Sequence, residues 1–269
     1  MKLTVIAENH VPFSRRLLAE HGLSVWIEDE DCQILFDTGS GGVILENASR
    51  LGIPLRQAKE VVLSHGHWDH TGGLPQLLAA GILQGKSLTA HPACFGNKWD
   101  KDRYIGMPVS QEVLGRMMSV HLTKKPRRIS KHLLFLGEIP RRTPWENTHP
   151  VGEVRDGEKK TPDYLPDDSA LVYRGENGLF LLTGCSHSGL SNILRYAKEV
   201  NGGEKIIGIF GGFHLQRADE ALEQTAAVLR EEGVQVLYPC HCTSFAAKAA
   251  LAKQFQVEEV GVGSVLEVR

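Results

Sequence analysis

The sequence predicts an α/β protein, an αββα sandwich of two mixed β-sheets with helices outside. Three observations carry this. Strand-like and helix-like segments alternate in the N-terminal part of the chain. They alternate again in the C-terminal part, and an irregular, proline-rich stretch lies between. The 269 residues, 42% of them hydrophobic, supply enough apolar surface to fill a core between two sheets. The chain reads as one domain over 1–269, with 93–167 a basic insertion or lid within it.

In order along the chain, "KLTVIAE", "LSVWIED" and "CQILFDTG" are strands by their β-branched and aromatic content. "GVILENASRLG" spaces Val43, Ile44, Ala48 and Leu51 as a helix does, and Gly52 stops it. "AKEVVLS" is a strand, "GGLPQLLAAG" a short helix ending at Gly81, and "KSLTAHP" a strand. From Ala93 to about Asp167 prolines recur at 108, 126, 140, 144, 150, 162 and 166, and only a helix near Gln111–Met118 stands out. "SALVYR" and "GLFLLTG" form a hairpin across "GEN". "SGLSNILRYAKEV" puts Leu190, Ile193, Leu194 and Ala197 on one helical face. A strand "EKIIGIFGG", a helix "ADEALEQTAAVLREEG", a strand "VQVLYP", a helix "TSFAAKAALAKQF" and a last strand "VEEVGVGSVLEV" complete the chain.

Composition narrows the function. A formal net charge of −2 gives no general attraction to nucleic acid. No apolar run is long enough to span a bilayer, and the N-terminus reads as a first strand, not a leader. Five cysteines without framework spacing fit a reducing cytosol, so a cytoplasmic protein is expected. One local asymmetry stands out. Between Arg116 and Arg142 lie eight Lys or Arg (116, 124, 125, 127, 128, 131, 141 and 142), with Glu138 the only acid. The segment reads either as a solvated face or as a cap that attracts an anionic substrate.

The densest chemistry is in "VVLSHGHWDHTGGL", where His65, His67, Asp69 and His70 follow an apolar strand. His65 and His67 alternate on extended backbone and point the same way. Asp69 and His70 follow in a turn and serve a second position nearby. Imidazole and carboxylate ligands suit zinc, manganese or iron. Three further segments, "LLTGCSHSGLSNIL", "IFGGFHLQ" and "LYPCHCTS", each place a histidine just after an apolar strand and before a helix.

The stretch "SHGHWDH" resembles the His-x-His-x-Asp-His motif of the metallo-β-lactamase superfamily, and "ILFDTGSG" its aspartate-bearing strand end. The resemblance covers essentially the whole chain. It implies the αββα sandwich with one or two metals at the sheet edges, and Asp37 as the aspartate that orients the ligand loop. It implies His65 and His67 as ligands of a first metal, Asp69 and His70 as ligands of a second, and His241 as the second metal's last histidine. The chain departs from the usual pattern at "TGCSH", where Cys185 takes the place of a bridging aspartate. The usual middle histidine is absent, and "PDDSAL" stands there. The first metal's third ligand is therefore open among His187, Asp168 and Cys185. The motifs "GCSHSGLSNI", "GGFHL", "PCHCT", "GEIPR" and "DDSAL" also resemble the group named 7,8-dihydropterin-6-methyl-4-(β-D-ribofuranosyl)aminobenzene-5′-phosphate synthases.

The expected cofactor is one or two divalent metals, zinc first, with manganese and iron as alternatives. The expected function is hydrolysis of phosphoester or related ester bonds in a small anionic molecule, by water that the metal acidifies. Asp69 orients or deprotonates that water. His214 is the candidate general acid, with a ligand or supporting role as the alternative. Arg141 and Arg142 are the candidate phosphate grip. Two rival readings remain: transfer of a pterin methyl group to a ribofuranosylaminobenzene phosphate, and an iron-containing redox or metal-binding module drawing on Cys185, Cys240 and Cys242.

Overall fold

The computed structural model describes residues 1–12, 16–30 and 32–269. In chain order the strands are β1 (Lys2–Ala7), β2 (Ser24–Asp29), β3 (Cys32–Phe36), β4 (Glu60–Val62), β5 (Ser87–Ala90), β6 (Lys98–Asp100), β7 (Arg103–Tyr104), β8 (Ser119–Leu122), β9 (Arg127–Arg128), β10 (Leu133–Phe135), β11 (Glu153–Asp156), β12 (Lys159–Pro162), β13 (Ala170–Arg174), β14 (Leu179–Thr183), β15 (Ile206–Gly212), β16 (Val236–Cys240), β17 (Gln256–Val257) and β18 (Val265–Glu267). The helices are α1 (Ile44–Leu51), α2 (Trp68–Thr71), α3 (Leu74–Ala79), α4 (Gln111–Met117), α5 (Leu190–Val200), α6 (Glu220–Glu231) and α7 (Phe245–Leu251).

Two seven-stranded sheets dominate, ordered β18-β1-β2-β3-β4-β5-β8 and β17-β16-β15-β14-β13-β10-β9. Each is mixed. In the first, β18 to β3 pair antiparallel and β3 to β8 pair parallel. In the second, β17 to β14 are parallel and β14 to β9 antiparallel. Parallel neighbours need a crossover, and α1, α3, α5, α6 and α7 supply it. One apolar layer joins residues of both sheets, including Val5, Phe36, Phe135, Leu182 and Phe210. Two others pack each sheet's opposite face on its helices: Ile44, Leu74 and Leu114 on the first, Leu190, Leu222 and Leu251 on the second. The order of layers is thus helix, sheet, sheet, helix, as expected. Strands buried on both faces read as continuous apolar runs, which is why "LFLLT" in β14 shows no alternation.

Among the described residues no helix is long and apolar enough to cross a membrane. Replacing Phe210, fully buried between the sheets, by Ala should cost ~3–5 kcal/mol. Val113→Ala, at an exposed site on α4, should stay within about 0.5 kcal/mol. Denaturant unfolding of the two variants checks the placement of the core.

Residues 93–167, the expected basic insertion or lid, contribute strands to three sheets. They give β8 to the first sheet and β9 and β10 to the second. The remainder forms a small antiparallel sheet, β12-β11-β6-β7. Their basic run is largely consumed by carboxylates. Arg116 pairs with Glu112, Lys124 with Glu138, Arg127 with Glu60, Lys131 with Glu30 and Arg142 with Glu199. Most of these are exposed pairs, so the run is a solvated, internally neutralised face more than an anion-attracting cap.

Candidate metal centre

Ligand-type residues gather where strands end. Asp37 follows β3, and His65, His67, Asp69 and His70 follow β4. Cys185 and His187 follow β14, His214 follows β15 and His241 follows β16. The chain leaves each parallel strand there to enter a helix, which opens a crevice at the carboxyl ends. The loops from the two sheets meet almost backbone to backbone. A Cβ on Gly184 would lie 2.1 Å from the Ser64 hydroxyl, so glycine is required beside Cys185.

His65, His67 and His187 form a triangle, with ring centroids 4.7, 4.9 and 5.0 Å apart. Nε2 of His65, Nε2 of His67 and both ring nitrogens of His187 are buried with no hydrogen-bond partner among the described residues. Native proteins rarely leave such atoms unpaired. Burial, then the charge of neighbouring imidazoles, holds His65 and His187 well below the ordinary histidine value. Burial lowers His67 to about 4. The three rings therefore stay neutral at neutral pH and keep lone pairs for a cation.

A second group adjoins the first. His70 Nε2 is 3.1 Å from Cys185 Sγ and 3.1 Å from His241 Nε2. His241 Nε2 is 3.4 Å from Asp69 Oδ2. Cys185 belongs to both groups: its sulfur lies within 4.8 Å of ligand nitrogens of His65 and His187, and likewise of His70 and His241. Burial pushes its thiol well above the ordinary value, so the thiol keeps its proton unless a cation displaces it. The donor set suits a divalent ion on each side.

Supporting contacts fix the ring orientations. Asp37, held at φ 56°, accepts the Ser64 N–H and O–H, each at 2.7 Å, and His70 Nδ1–H at 2.7 Å. That contact turns His70 Nε2 inward, the usual way a carboxylate sets a ligand tautomer. Burial presses the His70 imidazole down, but Asp37 and Asp69 outweigh it and lift it to about 9. Burial likewise presses the Asp69 carboxyl up, yet the charge of His70 and contacts from His21 and His241 keep it ionised. On the other side the His241 N–H donates to Glu8 Oε1 at 2.6 Å, and His241 Nδ1 is 2.9 Å from Asn9 Oδ1.

Sequence reasoning missed Glu8, Asn9 and His21, whose Nε2 is 3.3 Å from Asp69 Oδ2. The available signal was the polar "ENH" closing an otherwise apolar first strand. Of the three candidates for the open ligand position, the fold brings His187 and Cys185 into the groups and leaves Asp168 outside them. Asp168 accepts the Ser188 N–H and O–H at 2.9 and 2.5 Å and so braces the loop after His187.

A cavity of ≈ 620 Å³ opens over the cluster, with His67, Asp69, His187, His214, Cys242 and Arg103 among its walls. The His214 ring lies 4.3 Å from that of His187. Burial lowers the His214 imidazole, but the contact with Cys242 more than compensates and leaves it raised. Arg141 and Arg142 are not brought to this cavity. Arg141 donates to the carbonyls of Ile139 and Leu165 and to Asn147, whose amide in turn donates to the His187 carbonyl. Arg142 pairs with Glu199 at the surface.

A family model described as the metallo-beta-lactamase superfamily matches residues 18–241. The chain is 31% identical over 256 residues to the uncharacterized protein MJ0448 of Methanocaldococcus jannaschii, covering 94% of this chain and 96% of that one. It is 28% identical over 287 residues to the 7,8-dihydropterin-6-methyl-4-(beta-D-ribofuranosyl)-aminobenzene-5'-phosphate synthase of the same organism, covering 99% and 96%. Among solved structures it resembles Tm1679, described as a metal-dependent hydrolase of the beta-lactamase superfamily, at 30% identity and a TM-score of 0.84, covering 100% and 99%. A diphosphatase from the PhnP family shares the fold at 16% identity and a TM-score of 0.57, covering 100% and 98%. With the motif, the layered sheets and a model match over most of its length, the chain belongs to the metallo-beta-lactamase superfamily.

Proposed function

We propose that the chain is a metal-dependent hydrolase of phosphoester or related ester bonds in a small anionic molecule. The observation that carries this reading is the pair of adjoining ligand groups with Cys185 between them, open to a cavity whose wall also carries Arg103 and His214. His65, His67 and His187 would hold one divalent ion. Asp69, His70 and His241 would hold another, with Cys185 reaching both. Imidazoles with one thiolate suit zinc or iron better than manganese. A metal bound there acidifies water and polarises a substrate oxygen.

The chain's own residues supply the rest. Asp69 stays ionised and orients the attacking water, with His21 supporting its carboxylate. His214 holds its proton more firmly than a free imidazole and stands beside His187, where it can protonate a leaving oxygen. Arg103 offers a planar fork to phosphate oxygens, the role expected of Arg141 and Arg142.

Two results follow. His214→Gln should lower kcat by about 10²–10⁴ for an alkyl phosphodiester, which needs its leaving group protonated, and much less for a 4-nitrophenyl ester. Equal losses on both esters would remove the acid role. Arg103→Ala should raise KM for a phosphoester by about 10- to 100-fold with kcat nearly kept, because a charge-assisted contact to ground state and transition state alike is lost. An unchanged KM would exclude Arg103 as the anion grip.

The nearly full-length likeness to the dihydropterin synthase favours a second reading, in which the same site stabilises a departing diphosphate while a ribofuranosylaminobenzene phosphate attacks the pterin methylene.

A further inference from the structure

Lys98 opens β6 with its side chain 1% exposed, and its ammonium donates to Asp163 and to Asp167, each at 2.8 Å. Burying an ion pair costs solvation, and a well-packed apolar replacement is often as stable, so stability alone is a weak reason for this cluster. Its connections suggest a better one. The second carboxylate oxygen of Asp167 accepts the N–H of Gly66 at 2.8 Å. Gly66 lies between His65 and His67, and a Cβ there would sit 2.1 Å from the Cys94 carbonyl, so the loop has no room to shift that way. On the other flank of His67, the N–H of Trp68 donates to the Ile105 carbonyl at 3.0 Å, and the N–H of Ile105 donates to the Lys98 carbonyl at 3.0 Å. Of the two N–H groups that flank His67, that of Gly66 therefore ends on the carboxylate that Lys98 holds, and that of Trp68 on the segment that Lys98 opens. The same segment, through β6 and β7, carries Asp100 and Arg103 to the cavity wall.

We propose that the Lys98–Asp167 pair is a positioning device: it sets His67 for its metal ion and ties that ion's loop to the hairpin bearing Arg103. The proposal rests on the metal-site reading above. One lysine against two carboxylates also leaves an excess negative charge beside His67, which favours a bound cation.

The test is a cobalt(II) titration of the full chain, resolving two binding constants, for Asp167→Ala and Asp167→Asn. Asp167→Ala removes the acceptor for Gly66 and should weaken one of the two constants by about 10- to 100-fold, leaving the other within a few-fold. Asp167→Asn keeps an oxygen for Gly66 but turns an amide N–H toward the Lys98 ammonium, and should recover only part of that loss. Unchanged constants in Asp167→Ala would overturn the proposal. So would an equal fall in both constants alongside a lower unfolding temperature, which is what a merely structural role gives. The readout is metal affinity, so a protein that loads both ions normally and hydrolyses no ester contradicts the hydrolase reading alone.

Discussion

Combining His65→Ala with His67→Ala should release one of two bound ions and abolish most turnover. The two rings supply two of the three buried, unpartnered nitrogen sets in the first group. His187 and the shared Cys185 are too few donors to hold an ion without them. Losing that ion removes several kcal/mol of transition-state stabilisation, a rate loss on the order of a thousandfold or more. The second group keeps Asp69, Cys185, His70 and His241, so metal analysis should fall from two ions per chain to one, not to none. Retention of both ions would mean that the ligands lie elsewhere. His187→Ala should give the same single-ion loss, and Asp168→Ala should not.

Cys185 carries the second large effect. Its sulfur reaches His65 and His187 on one side and His70 and His241 on the other. Cys185→Ser offers a poor anion in its place, and zinc affinity should fall at both positions together, in contrast to the one-sided loss in the histidine variant. Cys185→Asp restores a negative bridge with hard oxygens. It should recover two ions while shifting preference away from zinc and toward manganese. In the cobalt-loaded protein the near-ultraviolet thiolate absorption should vanish in both variants. Its survival in Cys185→Ser would show that the thiolate bound to metal is another, such as Cys242 beside His214.

The parts of this site that could be read from sequence share one property: their pattern is local. His65, His67, Asp69 and His70 fall within six residues, and Cys185, His187, His214 and His241 each follow a short apolar run that reads as a buried strand. Strand, turn and helix therefore appear together with the ligand. Glu8 and Asn9 were not legible because they act on His241, more than two hundred residues away, and their own neighbourhood shows only a polar strand end. Arg103 was hidden in a two-residue strand inside a stretch without periodicity. Arg141 lies apart from the cavity for a reason its sequence does not show. A guanidinium that binds backbone carbonyls and one that binds phosphate are the same residue in a sequence, and only the fold shows that Arg141 spends its donors on Ile139, Leu165 and Asn147. The segment 93–167 looked like an insertion because its strands are two to four residues long, too short to show alternation, although they complete three different sheets.

The central claim is that this centre hydrolyses phosphoesters with its metals in place. The most direct measurement is release of 4-nitrophenol from bis(4-nitrophenyl) phosphate by the zinc-loaded chain, run beside a pterin diphosphate paired with a ribofuranosylaminobenzene phosphate. Phosphodiester turnover should disappear on chelation, return with zinc and be lost in the His65→Ala, His67→Ala variant. Fully loaded protein that leaves the phosphodiester intact and joins the pterin pair would contradict the claim.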